Sequence, residues 1–281
     1  MIMKVDLSGK TAVITGAGGI LASNFSMHMA RCGAKIAVLD IDGAAAEQTA
    51  QAVRDTGGEA VAIACDVLSH ESMVEAEKKV VEAFGGYDIL INAAGGNNVR
   101  VSTSSETFCE EDVEDPSKIS FFDLDPALYN RVLNLNLMGT FIPTQVFVKG
   151  LMKADHPLII NMSSMSSYVA LTKVAAYSNA KAAINSLTQW LTVHLGPLGI
   201  RVNAIAPGFF ITKQNRAMMT NPDGTLSARS QKVIAHTPAG RMGEPDDLIG
   251  LLLFLCDYSA SSYINGVVIP VDGGFMATPG V

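Results

Sequence analysis

Two side chains that could move a proton lie four residues apart in the segment Tyr177-Ser178-Asn179-Ala180-Lys181. On a helix, residues at this spacing share one face, one turn from each other. A tyrosine has an ordinary pKa of about 10, and a unit charge roughly 4 Å away, at an effective dielectric of about 20, is worth about three pKa units. Lys181 is therefore expected to lower the pKa of Tyr177 toward neutrality. Tyr/Lys pairs at this spacing are also common on the solvent-exposed faces of helices. Other motifs in the sequence must therefore show whether this pair is catalytic.

A glycine-rich turn follows the first apolar run of the chain. Residues 11–14 form that run, Gly16, Gly18 and Gly19 come next, and a helical pattern extends from Ile20 to residue 33. This order predicts a strand, a turn and a helix, and the free N–H groups at the start of such a helix can bind a pyrophosphate. An ordinary strand-to-helix turn is the alternative interpretation.

An acidic residue ends the second predicted strand. Asp40 follows residues 35–39, about 20 residues after the glycines, where dinucleotide-binding folds place a carboxylate on the ribose hydroxyls of adenosine. A carboxylate at this point would repel a 2′-phosphate, and no Arg or Lys lies beside it. The sequence therefore favours NAD over NADP.

Small and polar residues end two further predicted strands. Residues 88–91 lead into Asn92-Ala93-Ala94-Gly95, and residues 159–162 lead into Ser163-Ser164, with Ser164 thirteen residues before Tyr177. Ligands of parallel α/β sheets bind outside the carboxyl ends of the strands. We therefore expect these residues to meet the glycine turn at one edge of the sheet.

Taken in order, these motifs resemble those of the short-chain dehydrogenase/reductases over essentially the whole chain. Further matches are Asp66-Val67, Asn136, Pro207-Gly208 with Thr212, and Val271-Asp272-Gly273-Gly274. The resemblance implies hydride exchange between a nicotinamide and a secondary alcohol carbon. Tyr177 would be the general acid in reduction and the base in oxidation, and Lys181 would lower its pKa and hold the nicotinamide ribose. Ser164 would donate to the carbonyl oxygen, and Asn136 would hold a water that links Lys181 to solvent.

The same resemblance implies a set of contacts to the cofactor NAD. One departure from the family pattern is Ile20, which places a β-branched side chain where glycine is usual, and Ala22 is a second, smaller departure. The implied cofactor-binding residues are Gly16, Gly18, Gly19, Ile20, Asp40, Asp66, Val67, Asn92, Ala93, Ala94, Tyr177, Lys181, Pro207, Gly208, Phe210 and Thr212.

Several local features are similar to one subgroup of the family, the D-mannonate oxidoreductase (fructuronate reductase) type. They include the bulky residue in the glycine turn, Gly96-Asn97 with the long segment after it, and His236-Thr237-Pro238. A sugar acid needs a cation or a cluster of amides for its carboxylate, and Arg216 is preferred to Lys173 because a guanidinium can donate two hydrogen bonds. Either cation could instead be a surface residue. The candidate substrate residues are Asn97, Ser164, Lys173, Gln214 and Arg216.

Three functions follow from this resemblance. The first is an NAD-dependent oxidoreductase that interconverts D-mannonate and D-fructuronate. A gluconate 5-dehydrogenase, or another sugar-acid or polyol dehydrogenase, is the nearest alternative. An alternative of another class is a catalytically silent subunit that binds NAD, against which the presence of Asn136, Ser164, Tyr177 and Lys181 argues.

Strand and helix patterns alternate along the 281 residues without repeats or a linker. They predict one α/β domain over residues 1–281, a Rossmann-type, doubly wound, seven-stranded parallel sheet with helices on both faces. An acidic insertion at about 97–125 has eight acids against Arg100 and Lys118, a net charge of −6 out of −7 for the chain. It is either a solvated surface excursion or a wall beside the active site, and its acids should point outward because they would repel an anionic substrate. Strands are expected near 11–15, 35–40, 60–65, 88–92, 157–163, 200–205 and 267–271.

Composition excludes several other classes of protein. No apolar run reaches the length of about 18 residues that a membrane span requires, and the first residues lack the apolar stretch of a signal peptide. The four cysteines are far apart without metal-binding spacing, which indicates reduced thiols, no metal site and a cytoplasmic location. No segment is basic enough for nucleic acid. Small residues together with Trp190 on the helix near 176–195 favour, by the resemblance, a homotetramer with two-fold symmetry.

Overall fold

The computed structural model describes residues 5–212 and 216–278. Their strands form one parallel sheet in the order β3-β2-β1-β4-β5-β6-β7. Every predicted strand is confirmed, and each boundary lies within about two residues of the prediction. The strands are β1 Thr11–Thr15, β2 Lys35–Asp40, β3 Ala60–Ala64, β4 Ile89–Asn92, β5 Leu158–Met162, β6 Arg201–Pro207 and β7 Val268–Val271.

Helices cover both faces of this sheet, as the prediction of a doubly wound fold requires. None of the helices in the described ranges is long and apolar enough to cross a membrane. The helices are α1 Ile20–Arg31, α2 Gly43–Asp55, α3 His70–Phe84, α4 Glu111–Glu114, α5 Pro126–Leu151, α6 Ala175–Leu195, α7 Arg216–Met219, α8 Ala228–His236, α9 Ile249–Cys256 and α10 Tyr258–Ser261.

Two apolar cores lie on opposite faces of the sheet, because successive strand residues point to opposite sides. Ile14 of β1 packs in the core that includes Phe25 and Met29 of α1. Its neighbour Val13 packs in the other core, which includes Phe147 of α5 and Leu191 of α6. Burial on both faces explains why the strands read as continuous apolar runs rather than as alternating patterns.

Side-chain caps fix where several helices begin. The Asp42 carboxylate accepts hydrogen bonds from the N–H groups of Ala44 and Ala45 at the start of α2. Asp125 caps α5 in the same way and is followed by Pro126, whose missing N–H costs nothing in the first turn. The start of α5, and with it the position of Asn136 along the helix, is therefore set by the local sequence.

The strand register brings the ends of the central strands to one level. Thr15 of β1 lies opposite Leu39 of β2 on one side and opposite Asn92 of β4 on the other. Asn92 in turn lies opposite Asn161 of β5. Because the strand order reverses between β1 and β4, the loops that leave these strands diverge and form a crevice there.

One apolar surface is left open on the outer side of α6. Trp190 is 55% exposed and Val193 is 79% exposed. Trp190 stacks on His194, with ring centroids 4.6 Å apart. The homotetramer expected to form through this helix stays a prediction.

Candidate active site

A cavity of about 670 Å³ opens at the carboxyl edge of the sheet, where the strand register places the loop ends. Its volume lies within the usual range for sites that bind small molecules and cofactors. Loops after six strands, β1 to β6, and the first turns of α6 contribute to its walls. In the described part of the chain, no group of three or more His, Cys, Asp or Glu side chains could hold a metal ion.

Tyr177, Ser164 and Lys181 meet in the wall of this cavity. Ser164 follows β5 and is buried, whereas Tyr177 and Lys181 occupy the first turns of α6. The Lys181 Nζ lies 5.4 Å from the centroid of the Tyr177 ring. It donates a hydrogen bond of 2.7 Å to the carbonyl oxygen of Met162 at the end of β5. The predicted catalytic constellation is therefore assembled in space.

The pKa values of these groups differ from the sequence-based expectation. Burial lowers the pKa of Lys181 to about 7. Burial also raises the pKa of Tyr177, and a hydrogen bond with the Ser164 side chain opposes that rise. The predicted lowering of the Tyr177 pKa by Lys181 is thus wrong for the protein alone. A lysine that is only partly charged at neutral pH has little charge with which to stabilise a phenolate.

Asn136 lies on the side of α5 that faces the cavity loops and is fully buried. Its Nδ2 donates to the carbonyl oxygens of Gly96 and Val132, each at 2.8 Å, and its Oδ1 accepts from the Gly96 N–H at 3.1 Å. A Cβ atom on Gly95 would approach Oδ1 to 2.6 Å. The Asn136 side chain therefore holds the backbone of the loop after β4, and the water that the resemblance implies for this residue stays a prediction.

The glycine turn brings its backbone against two neighbouring segments. Gly16 has φ +65°, and a Cβ there would lie 2.7 Å from the Cα of Ala94. A Cβ on Gly18 would lie 2.6 Å from the Cβ of Ala45 in α2. Glycine is therefore required at both positions by close approach, and at Gly16 also by backbone conformation. Ile20, the departure from the family pattern, forms the first residue of α1 and lines the cavity.

The Asp40 side chain links the end of β2 to the glycine turn through hydrogen bonds. Its Oδ2 accepts from the Gly18 N–H and its Oδ1 accepts from the Asp42 N–H, both at 2.9 Å. A carboxylate has about four lone-pair sites, so each oxygen can accept a further hydrogen bond. Asp40 lines the cavity and can therefore receive two hydroxyl groups of a ligand.

The structure brings nearly all the predicted cofactor residues to the cavity, and Asn92 is the exception. Asn92 ends β4, and its side chain lies on the face of the sheet that α5 covers. There its Nδ2 donates to Thr144 of α5 and to Asn161 of β5, both at 2.9 Å. Alternation along the strand points the Asn92 side chain away from the cavity, so the structure does not place that side chain where the predicted cofactor contact requires it. The predicted residues that do line the cavity are Gly16, Gly18, Gly19, Ile20, Asp40, Asp66, Val67, Ala93, Ala94, Tyr177, Lys181, Pro207, Gly208, Phe210 and Thr212.

Asn92 belongs to a buried hydrogen-bond network that joins the helices on this face. Asn161 donates to Thr188 of α6 at 2.9 Å, and Thr188 donates to Ile184 of the same helix at 2.8 Å. On the other side, hydroxyl groups along α5 connect Thr144 to Thr140 and Thr140 to the carbonyl oxygen of Asn136. The helices that position Asn136 and Lys181 are thus linked through two central strands.

The predicted substrate residues divide into three groups. Asn97 and Ser164 line the cavity. Lys173 does not, because its Nζ donates to the carbonyl oxygen of Ser104 at 2.5 Å, and its backbone has the unusual φ of 75°. Arg216 is exposed at the start of α7 and is likewise not among the lining residues. Gln214 lies outside the described residues.

Arg229 is a cavity residue that sequence reasoning missed. It lies in the first turn of α8, and its side chain is 18% exposed. Its Nη1 lies 3.3 Å from Glu106 and from the Thr172 hydroxyl, and its Nη2 lies 3.4 Å from the Thr172 carbonyl oxygen. No local sequence pattern indicates that Arg229 would reach the cavity.

The acidic segment 97–125 forms part of the cavity wall. Val99 lines the cavity, and Val101 is fully buried in a small core with Val132 and Ala176. The acids mostly face solvent, as expected, and Asp112 pairs with Lys118 at 2.6 Å. The segment is therefore a wall of the cavity at Val99, whereas most of its acidic side chains form a solvated surface.

Comparison with known proteins agrees with this geometry. A family model of the short-chain alcohol dehydrogenase type, described as Enoyl-(Acyl carrier protein) reductase, matches residues 16–276. The uncharacterized oxidoreductase UxuB of Bacillus subtilis is 49% identical over 276 residues, which cover 98% of each chain. The 2-dehydro-3-deoxy-D-gluconate 5-dehydrogenase of Dickeya dadantii is 32% identical over 276 residues, 97% of each chain.

A solved structure is similar over the same extent. It is a Haemophilus influenzae protein with bound NAD, provisionally named a D-mannonate oxidoreductase. It has 44% sequence identity and a TM-score of 0.94, and the match covers 98% of both chains. With matches of this length, and with the ordered motifs gathered around one cavity, the chain belongs to the short-chain dehydrogenase/reductase family.

Proposed function

We propose that this oxidoreductase uses NAD to interconvert D-mannonate and D-fructuronate. The observation that carries the redox part is one cavity whose walls hold Tyr177, Ser164 and Lys181 as well as the glycine turn with Asp40. A dinucleotide fits these residues, because the turn exposes a helix start to a pyrophosphate and Asp40 retains acceptors for two ribose hydroxyls. NAD, when bound, supplies or accepts the hydride.

The protein's own residues handle the proton. In reduction, the Tyr177 hydroxyl donates its proton to the carbonyl oxygen, and in oxidation the phenolate accepts a proton from the alcohol. The Ser164 hydroxyl donates a hydrogen bond to the same oxygen, where negative charge develops. Loss of the Tyr177 proton places a negative charge beside Lys181 and favours its protonated form, so the two groups titrate as a pair.

Asn136 influences Tyr177 and Lys181 indirectly, through the backbone of the loop after β4. A Cβ on Gly95 would lie 2.6 Å from the Asn136 Oδ1 and 3.5 Å from the Lys181 Nζ. The loop after β4 therefore runs close to Lys181, and the two-way hydrogen bonding between Asn136 and Gly96 holds it there. Asn136 is a positioning residue in this proposal.

The sugar-acid part of the proposal is supported by two relatives. The Haemophilus influenzae protein is provisionally named for D-mannonate, and the Dickeya dadantii relative is named for a dehydrogenated gluconate. The second relative also supports the alternative, a gluconate 5-dehydrogenase or a related sugar-acid dehydrogenase. The remaining alternative, a silent NAD-binding subunit, is disfavoured because such a subunit has no need of Tyr177, Ser164 and Lys181 together.

A screen of hexonates and hexuronates with each cofactor, read by NADH or NADPH absorbance, tests the proposal. We expect kcat/KM for the reduction of D-fructuronate with NADH to exceed the value for 5-keto-D-gluconate. A preference for 5-keto-D-gluconate would transfer the assignment to the gluconate alternative. Absence of turnover with every sugar acid, in a folded protein that binds NADH, would favour the silent subunit.

Cofactor choice follows from Asp40. We expect kcat/KM with NAD to exceed that with NADP by at least about tenfold, which corresponds to roughly 1.4 kcal/mol. Asp40→Asn keeps an acceptor for the Gly18 N–H and removes the negative charge, so it should raise kcat/KM with NADP while kcat with NAD changes little. Steady-state kinetics with both cofactors measure this, and equal values of kcat/KM for the wild type would contradict the assignment.

A further inference from the structure

A cluster of opposite charges lies where the acidic segment meets α8. Glu106 is within 3.3 Å of Arg229 and 2.5 Å of Lys232. The hydrogen bond from Lys232, followed by the charges of Lys232, Arg229 and Lys173, lowers the pKa of Glu106. Glu106 is therefore ionised at neutral pH, and these three cations and one carboxylate carry a net charge of +2. The positive charge of the cluster is thus not fully neutralised by Glu106.

Arg229 is the member of this cluster that reaches the cavity. Its contacts with Glu106 and Thr172 are 3.3–3.4 Å long, beyond the usual range of 2.7–3.2 Å for an N–H···O hydrogen bond. A guanidinium has five N–H donors in a planar fork. Its hydrogen-bonding capacity is thus poorly used by these partners, and a carboxylate in the cavity could receive two short hydrogen bonds from it.

The other cation among the described lining residues is occupied. Lys181 donates to Met162 and belongs to the reacting end of the cavity. The wall on the side of Arg229 is otherwise largely apolar, with Leu171, Val174, Met218 and Met219. In apolar surroundings the electrostatic attraction between the Arg229 guanidinium and an anion is stronger than it would be in water.

A second polar group of the cavity, on Asn97, lacks a partner among the described residues. The Asn97 Oδ1 is buried and makes no hydrogen bond with any residue that the structure describes, whereas its Nδ2 donates to Ser102 at 3.1 Å. A buried acceptor without a donor costs roughly 1 to 3 kcal/mol. Asn97 lines the same cavity, and a hydroxyl group of a ligand would satisfy it.

We propose that Arg229 binds the carboxylate of the sugar-acid substrate, with Asn97 accepting from one of its hydroxyls. This inference rests on the proposed function, since it assigns the anchor of that substrate. It replaces Arg216 and Lys173, which are not among the residues that line the cavity. It also gives the acidic segment a part in the site, because Glu106 is the counter-ion on the outer side of Arg229.

The test compares Arg229→Met with the matched control Lys232→Met. Both variants remove one cation from the Glu106 cluster, but Lys232 is 60% exposed and is not among the cavity-lining residues. Each variant is assayed with NADH and either D-fructuronate or D-fructose, an uncharged ketose of the same carbon number. For Arg229→Met we expect KM for D-fructuronate to rise at least about tenfold, with kcat and any weak fructose activity nearly unchanged. Lys232→Met should stay within about twofold of wild type in all four parameters.

A direct binding measurement separates the effect of Arg229 on ligand affinity from its effect on turnover. Calorimetric titration of the NADH-saturated protein with D-mannonate should give a Kd at least about tenfold weaker for Arg229→Met, and a partial recovery for Arg229→Lys, which keeps the charge but loses the fork. Equal losses in Arg229→Met and Lys232→Met, or equal losses on D-fructuronate and D-fructose, would overturn the inference because they indicate a structural link only. If wild type reduces no sugar acid, the proposed function fails. If it does and Arg229→Met keeps the wild-type KM, the inference alone fails.

Discussion

Tyr177→Phe should lower kcat for sugar-acid reduction by about 10²–10⁴-fold, the range that a positioned general acid contributes. The Kd of NADH should stay within about twofold of wild type, since the phenol acts mainly on the reacting oxygen. Stopped-flow or steady-state absorbance gives kcat, and titration of protein fluorescence gives the Kd. The ring of Tyr177 remains in the variant, so the packing of α6 against the small core near Val101 is kept.

A second tyrosine provides the matched control for this prediction. Tyr168 is 47% exposed, and its hydroxyl donates to the carbonyl oxygen of Val268 at 2.8 Å, away from the cavity. Tyr168→Phe removes the same atom and should leave kcat within about twofold. If Tyr177→Phe keeps more than about a tenth of the wild-type kcat, another group must donate the proton.

Replacing Lys181 by Met should produce two separate effects. The first is on function: kcat should fall, and the Kd of NADH should rise about tenfold or more, because the hydrogen bonds to the nicotinamide ribose that the family resemblance implies for Lys181 would be lost. The second is on stability. The unfolded chain keeps a lysine pKa near its ordinary value of 10.5, whereas burial lowers it to about 7 in the folded protein. Between these pH values the unfolded state binds more protons, so the free energy of unfolding rises with pH.

The stability difference between Lys181→Met and wild type should depend on pH. Below about pH 7 both states are protonated and the folded protein bears the full cost of the buried charge. Lys181→Met has no such cost, so it should be more stable than wild type near neutral pH. Its advantage should shrink as pH rises, by up to about 1.4 kcal/mol per pH unit. Urea unfolding of the cofactor-free protein at several pH values between 7 and 10 measures the difference.

An exposed lysine serves as the control for both effects. Lys78 is 62% exposed and pairs with Glu75 on the surface of α3. Lys78→Met should change neither the Kd of NADH nor the pH dependence of stability beyond a few tenths of a kcal/mol. A constant difference between Lys181→Met and wild type over this pH range would show that Lys181 is not buried as a partly neutral amine.

The sequence was sufficient for the fold and for the reacting groups because both depend on local patterns. Apolar runs of four to seven residues predicted the strands, and the strand ends carried Asp40 and Ser164 to the sheet edge. Tyr177 and Lys181 were linked by helix geometry alone. Asn92 could also have been placed correctly, since alternation along β4 sends its side chain to the side opposite Ile91.

The substrate side was not predictable in the same way. The contact between Glu106 and Arg229 joins residues 123 positions apart, and no local pattern reports such a distance. Lys173 has a left-handed backbone conformation, and its side chain donates to the carbonyl oxygen of Ser104; no local sequence pattern predicts either feature. The direction of the Tyr177 pKa shift could not be predicted from spacing either, because it depends first on burial of the phenol.

The hydrogen-bond network from Asn136 through Asn161 to Thr188 also bears on how such an enzyme can acquire new substrates. It fixes α5 and α6, and thereby the proton-transfer apparatus, from within the sheet. Asn97, Glu106 and Arg229 lie instead on the acidic segment and on α8, outside that network. Exchange of the residues around these three positions between relatives, with Val101 and its core against α5 and α6 kept, should therefore change which acid or ketose is accepted with little effect on proton transfer.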